Sequence, residues 1–175
     1  MKLKLLDFIP FPENYVFFYV CLPFPHVPST GNAQSKIDSP LAWIANSANT
    51  NQWITLDLEG DYTITGINIQ GRADQTNQQV SWVTMFQITY WRGDQDEIEG
   101  DYVDEGFDFT VPDSFLSSNS EIYTVEFGEL VHGRYLKIHP VAWVGDEIAL
   151  RVSVNLCSNW LVRKRTGTLS LKVIP

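Results

Sequence analysis

The sequence predicts an all-β fold, a sandwich or barrel of antiparallel strands, and three observations support it. Five apolar segments follow one another at 52–58, 64–72, 82–91, 134–143 and 148–157. Aromatic residues make up 13% of the chain and come with many β-branched side chains, which fit a pleated surface, while eleven glycines serve the turns. No long stretch keeps apolar residues at helical spacing with caps at both ends. With 175 residues, 44% of them hydrophobic, the chain suits one domain with a sizeable core and is too short for two ordinary ones.

Antiparallel strands joined by short turns alternate direction, so the loops can be sorted by end. The strand beginning at Trp53 runs away from segment 36–51, turns at Glu59-Gly60-Asp61 and returns through Tyr62 to Gln70. Loop 73–81 then lies at the end where the first strand began, and the strand from Trp82 to Trp91 leads back to the turn Arg92-Gly93-Asp94 at the other. In the last segment Ile148, Leu150, Val152, Val154 and Leu156 share one face, and Ala149, Arg151, Ser153 and Asn155 the other. That alternation predicts a half-buried strand. If Cys157 meets Cys21 at the far end, this strand starts at the near end. Loops 37–41, 73–81 and 144–147 then converge, an arrangement that commonly makes binding sites in sandwiches.

A formal charge of −9 disfavours a nucleic-acid partner, because phosphate affinity needs clustered Lys and Arg, and it weakens electrostatic attachment to anionic lipid. Acidic residues crowd 94–108, and Arg163, Lys164 and Arg165 stand near the end. An EF-hand register starting at Asp94 fails, since Ile98 and Glu99 fall where an oxygen ligand and a glycine are required. The three histidines have no metal-ligand spacing, and no nucleophile elbow, P-loop or His-Glu-x-x-His is present. The reading is therefore non-catalytic, with no metal and no cofactor.

Cys21 and Cys157 are the only cysteines. In a secreted sandwich they would close nearly the whole domain; in a reducing compartment they would be two unrelated thiols. Residues 1–28 read as an atypical N-terminal segment, a signal remnant without a clean apolar core, and 158–175 as a basic C-terminal tail.

Six pieces in one order resemble the discoidin, or factor V/VIII type C, domain family. They are Ala42-Trp43-Ile44-Ala45, Gln52-Trp53-Ile54-Thr55-Leu56-Asp57-Leu58, Thr65-Gly66-Ile67 with Gln70-Gly71-Arg72, Trp82-Val83-Thr84-Met85-Phe86, Arg134-Tyr135-Leu136-Lys137-Ile138-His139-Pro140 with Trp143, and Ile148-Ala149-Leu150-Arg151 ending at Cys157. The resemblance covers 29–157. It implies a jelly-roll β-sandwich, a terminal disulfide between Cys21 and Cys157, and a binding role outside cells, secreted or at the cell surface. The family's opening segment is not recognisable, so the sandwich is expected to lack its usual first strand.

Family members bind phospholipid head groups, glycans and extracellular proteins such as collagen through loops at one end. By position those loops correspond to Asp38, Ser39, Pro40 and Leu41, and to Asp74, Gln75, Thr76, Asn77 and Gln78. Trp143, preceding loop 144–147, is a further candidate to line the site. These loops are polar, with Leu41 the one large apolar side chain, so a glycan or protein partner is favoured over membrane insertion. Phospholipid binding and service as the glycan-targeting domain of a larger carbohydrate-active enzyme are the alternatives. Arg92-Gly93-Asp94 is the tripeptide many integrin ligands display on an exposed turn; the plainer reading is that Gly93 serves the turn. Trp43, Trp53, Trp82 and Trp143 are expected in the core, and Arg72 and Arg151 in buried polar contacts.

Overall fold

A computed structural model describes residues 15–24, 36–40, 42–72, 81–112, 121–165 and 168–173. Among the described residues there are nine strands: β1 (Tyr15–Phe24), β2 (Trp43–Ile44), β3 (Ile54–Gln70), β4 (Trp82–Trp91), β5 (Asp101–Tyr102), β6 (Phe109–Thr110), β7 (Tyr123–Val144), β8 (Ala149–Arg165) and β9 (Thr168–Val173). The pairing order is β1-β8-β3-β7-β4-β5, with β2 and β9 against β8 and β6 against β4, and every pairing is antiparallel.

Two long strands make this ladder a sandwich. Tyr123 at one end of β7 stands opposite Ile69, and Val144 at the other stands opposite Trp82. The Arg72 N–H donates to the Ser81 carbonyl at 3.0 Å, so both ends of β7 reach the same end of the molecule. Drawn straight, 22 residues would span about 70 Å. β7 instead folds over, and β3 folds with it where the register slips between Asp57 and Tyr62. Glu59 turns this corner with φ 63°. One layer holds Ile54–Asp57, the second half of β7, β4, β5 and β6. The other holds the first half of β7, Tyr62–Gln70, β8, β1 and β9. The two ends of the sandwich are the loop end (Gln70, Trp82, Val144, Ala149) and the corner end (Glu59, Gly133).

The core lies between the layers. Leu56, Phe86, Ile88 and Ile138 from one meet Ile64, Ile67, Ile69, Val152 and Val154 from the other, all essentially inaccessible. At Gly66 the backbones of β3 and β7 come so close that a Cβ would sit 2.1 Å from the Val125 carbonyl oxygen, so only glycine fits.

Several expectations change. The turn at Glu59-Gly60-Asp61 is a corner within one strand that crosses between layers, rather than a hairpin. The segment at 134–143 is the second half of a strand that begins at Tyr123. β8 is covered on both faces, for Ala149, Arg151 and Ser153 are as buried as Leu150 and Val152. Its polar face is satisfied by neighbours: Asn68 Nδ2 donates to Ser153 Oγ at 3.1 Å and to Asn155 Oδ1 at 2.9 Å. Trp53 is not in the core but 53% exposed, because Ile54, Leu56 and Leu58 point inward and force Trp53 to the outer face.

The edge expected to lack its strand is covered by β1, whose Cys21 stands opposite Cys157. Cys157 is disulfide-bonded, and among the described residues no cysteine is free. Within 158–175, β8 continues to Arg165 and β9 pairs back on it.

Candidate functional site

At the loop end, segment 36–40 is fastened to the ends of β3 and β8. Ser39 N–H donates to the Lys36 carbonyl at 3.0 Å, closing a turn in which Asp38 has φ 61°. Asp and Asn tolerate that left-handed conformation better than other non-glycine residues. Asp38 and Gln70 then bond reciprocally: the Asp38 N–H donates to Gln70 Oε1 at 2.8 Å, and Gln70 Nε2 donates to Asp38 Oδ1 at 3.0 Å. Gln70 is buried, so its amide is a fixed post for the loop.

Arg151 is the second post. Its side chain, 2% exposed, projects from β8, donating from Nε to the Gly71 carbonyl at 2.8 Å and from a terminal guanidinium nitrogen to the Ser39 carbonyl at 2.9 Å. Burial pulls its pKa below the ordinary arginine value and the Asp38 carboxylate opposes that shift. A third link is the Arg72–Glu147 ion pair, which ties the end of β3 to the loop after β7. Gly145, with φ 94°, lets that loop turn.

The structure therefore brings Asp38 and Ser39 together with Gln70, Gly71, Arg72, Glu147 and Arg151. Pro40 is exposed beside them. Trp143 packs against the core and is only partly exposed. Leu41, Asp74, Gln75, Thr76, Asn77 and Gln78 lie outside the described residues. Arg72 and Arg151 make the polar contacts expected of them. Gln70 falls in one of the recurring pieces, but neither it nor Glu147 carries a pattern that announces its partner, which lies more than thirty residues away. What this end offers chemically is a rigid rim of carboxylate, carbonyl and guanidinium groups, suited to hydrogen bonding.

At the corner end, Arg92-Gly93-Asp94 forms a turn closed by Gln95 N–H donating to the Arg92 carbonyl at 3.2 Å. Gly93 N–H donates to Asp61 Oδ1 at 3.0 Å. Arg92 and Asp94 are exposed and lie 3.4 Å apart as an ion pair, so their charges face each other instead of being displayed apart. Among the described residues no group of three or more His, Cys, Asp or Glu side chains is placed to hold a metal ion.

The family model for the F5/8 type C domain matches residues 26–154. The chain belongs to that family. Lactadherin from Bos taurus is 28% identical to this F5/8 type C domain over 135 residues, covering 77% of the chain and 29% of lactadherin. Retinoschisin from Takifugu rubripes is 29% identical over 118 residues, covering 67% of the chain and 40% of retinoschisin. The chain thus spans well under half the length of these curated relatives. Among solved structures, discoidin II from Dictyostelium discoideum superposes with a TM-score of 0.55 at 22% identity, over 73% of this chain and 46% of that one. The family 32 CBM from C. perfringens NanJ, solved in complex with galactose, superposes with a TM-score of 0.53 at 15% identity, over 78% of this chain and 93% of that one. Both place the F5/8 type C domain in the galactose-binding-like sandwich fold.

Proposed function

We propose that this F5/8 type C domain is a non-catalytic recognition module acting outside the cell, binding a glycan or protein through its loop end in adhesion or matrix attachment. The observation that carries the reading is the threefold fastening of that end by Gln70, Arg151 and the Arg72–Glu147 pair. It holds segment 36–40 and the ends of β3, β7 and β8 in one geometry before any ligand arrives, which lowers the ordering cost of binding. Asp74, Asn77 and Gln78 lie in sequence between Arg72 and Ser81, whose backbones meet at that same end. Exposed large apolar side chains among the described loop-end residues are Ile44, Ile122 and Val144, each little more than a third exposed. Such a rim suits hydroxyl and amide partners better than insertion into lipid.

The test is a parallel screen of glycans, collagen and phosphatidylserine liposomes. Binding to a glycan or to collagen, weakened about tenfold by Asn77→Ala or Gln78→Ala, is the expected result; tenfold is the ~1.4 kcal/mol of one or two lost hydrogen bonds. Binding to liposomes alone would overturn the reading.

A further inference from the structure

The connection from β4 to β7 closes one side of the sandwich. β5 pairs with Thr89 and Tyr90, β6 pairs with Met85 and Phe86, and the 3-10 turn Val103–Gly106 between them reaches across to the first half of β7. Val103 anchors the turn, fully buried in the core. The Gly128 N–H donates to both carboxylate oxygens of Asp104 at 2.9 Å, and the Asp104 N–H donates to Glu129 Oε1 at 3.3 Å. Asp104, Glu105 and Gly106 follow one another with φ 49°, 58° and 80°. Two adjacent non-glycine residues in that left-handed region are strained. They persist because these bonds, with Gln87 Nε2 donating to the Gly106 carbonyl at 3.2 Å, over-determine the turn.

This strained, well-fastened connection holds large apolar side chains out in water. Ile98 is 98% exposed, Phe107 71% and Tyr102 52%, and among the described residues Trp53 is the one other large apolar residue more than half exposed. Tyr102 lies over the turn, its ring 3.3 Å from where a Cβ on Gly106 would stand. Leaving such side chains uncovered costs free energy, so their concentration in one rigid connection marks an interaction surface. Its charge has one sign. From Gly93 to Gly133 the sequence has no Lys or Arg, and more than half of the chain's acidic residues fall there. Asp94, Glu97 and Asp104 are held by Arg92, Lys137 and the Gly128 N–H. Asp101, Glu105 and Asp108 are exposed, with no hydrogen-bond or ion-pair partner among the described residues.

We propose that this connection is a docking surface for a second copy of the chain, whose basic segment 158–173 it receives. Charge complementarity selects that occupant. Residues 158–175 carry Arg163, Lys164, Arg165 and Lys172 among apolar residues, with no Asp or Glu. After Cys157, β8 has no β3 partner and continues to Arg165 between β1 and β9. The contact is head-to-tail, because two copies of the acidic surface facing each other would oppose their free carboxylates. Phe107, Tyr102 and Ile98 supply its apolar middle, and Asp101, Glu105 and Asp108 the charged rim that fixes the partner and its register. Because the turn is already held, little ordering is left for association to pay for.

The test is sedimentation velocity of the full, disulfide-intact chain over a concentration series, at about 50 mM and about 500 mM salt. Concentration-dependent association is expected at the lower salt, weakened at least about tenfold at the higher. Phe107→Ser should weaken it to a similar degree. The acid-reversed double variant, Asp101→Lys with Asp108→Lys, and the base-reversed one, Arg163→Glu with Lys164→Glu, should each stay monomeric alone and associate when mixed. Mixing restores opposite charge at both contacts, and a variant that had failed to fold could not be rescued by it. The proposal is overturned if the parent stays monomeric at the lower salt throughout the series, if Phe107→Ser and both charge variants associate like the parent, or if the mixture associates no more than its components. Binding of glycan or collagen at the loop end is a separate readout and should be the same in all the variants.

Discussion

The loop end and the corner end of this sandwich are held by different means. At the loop end no covalent link appears among the described residues; buried side chains of Gln70 and Arg151 reach out to backbone groups of neighbouring segments. Toward the corner end the fold is held by covalent and backbone constraints: a disulfide at Cys157 beside the corner, and a close approach of β3 to β7 that only Gly66 permits. The bidentate Asp57–Arg134 pair adds to it, and its hydrogen bonds raise the Arg134 pKa above the ordinary value. The difference teaches that stability and display are separated. One end carries the permanent constraints, and the other carries polar fastenings that set the shape of a rim.

Breaking the corner end should have the larger effect. Reduction of the disulfide, or Cys157→Ser, is expected to lower unfolding free energy by about 2–5 kcal/mol, read from denaturant midpoints, because the unfolded chain regains the freedom of a very long loop. Gly66→Ala should cost about 3 kcal/mol, since a methyl group cannot share space with the Val125 carbonyl and both backbones are fixed in core strands. A melt of the Ala variant within about 1 °C of the parent, a change too small for a cost of that size, would show that the two strands can separate there.

Arg151→Met sharpens the comparison from the other side. It should cost about 2–3 kcal/mol by leaving the Gly71 and Ser39 carbonyls without their charged donor. Amide exchange should quicken at Ser39 and Arg72 and stay unchanged at Gly93 and Gln95. Equal quickening at both ends would mean the arginine supports the whole core, not the rim.

The smallest effect is a pH dependence. His139, half-buried on the outer face with its Nε2 3.2 Å from Thr89 Oγ1, has its pKa lowered from 6.5 chiefly by burial, then by Lys137, with Glu97 opposing. The unfolded chain therefore takes up a proton before the native one does. This contribution is present above the unfolded value and is lost as pH falls from about 6.5 toward the folded value. The difference in melting temperature between parent and His139→Gln should change across that interval and be flat above about pH 7.5, where the imidazole is neutral in both states.

Much of the fold was legible because core strands declare themselves by alternation. The apolar face of Ile148 to Leu156 could be read from its alternation, though the cover over Ala149, Arg151 and Ser153 could not; Arg151 and Arg72 make the polar contacts expected of them, Arg151 buried and Arg72 partly so. What could not be read follows from physics beyond local pattern. The first half of β7 alternates Val125 and Phe127 with exposed neighbours, but Gly128 and Gly133 interrupt the run. β1 lies among prolines that argue against a strand, yet it pairs along β8 from Phe24 to Tyr15. The outward position of Trp53 was hidden by its type, since tryptophan is a core residue on average, whereas the parity of Ile54, Leu56 and Leu58 decides its side. Gln70 and Glu147 act through partners that only the assembled layers bring near.

The crossing of β3 and β7 between layers also bears on how the domain is made. Ile54 pairs with Ile138, and Thr63 with Cys157, so the strands that share hydrogen bonds are separated by about half of the chain. During synthesis β3 would emerge long before either neighbour exists. The first layer cannot form until the second half of β7 has been added, nor the other until residues near 157 have, and closing such wide loops places refolding in the slow, millisecond-to-second range typical of sandwiches. Until then the apolar faces of β3 and β4 have nothing to cover them, which makes the interval before β7 and β8 arrive the period of greatest exposure to aggregation.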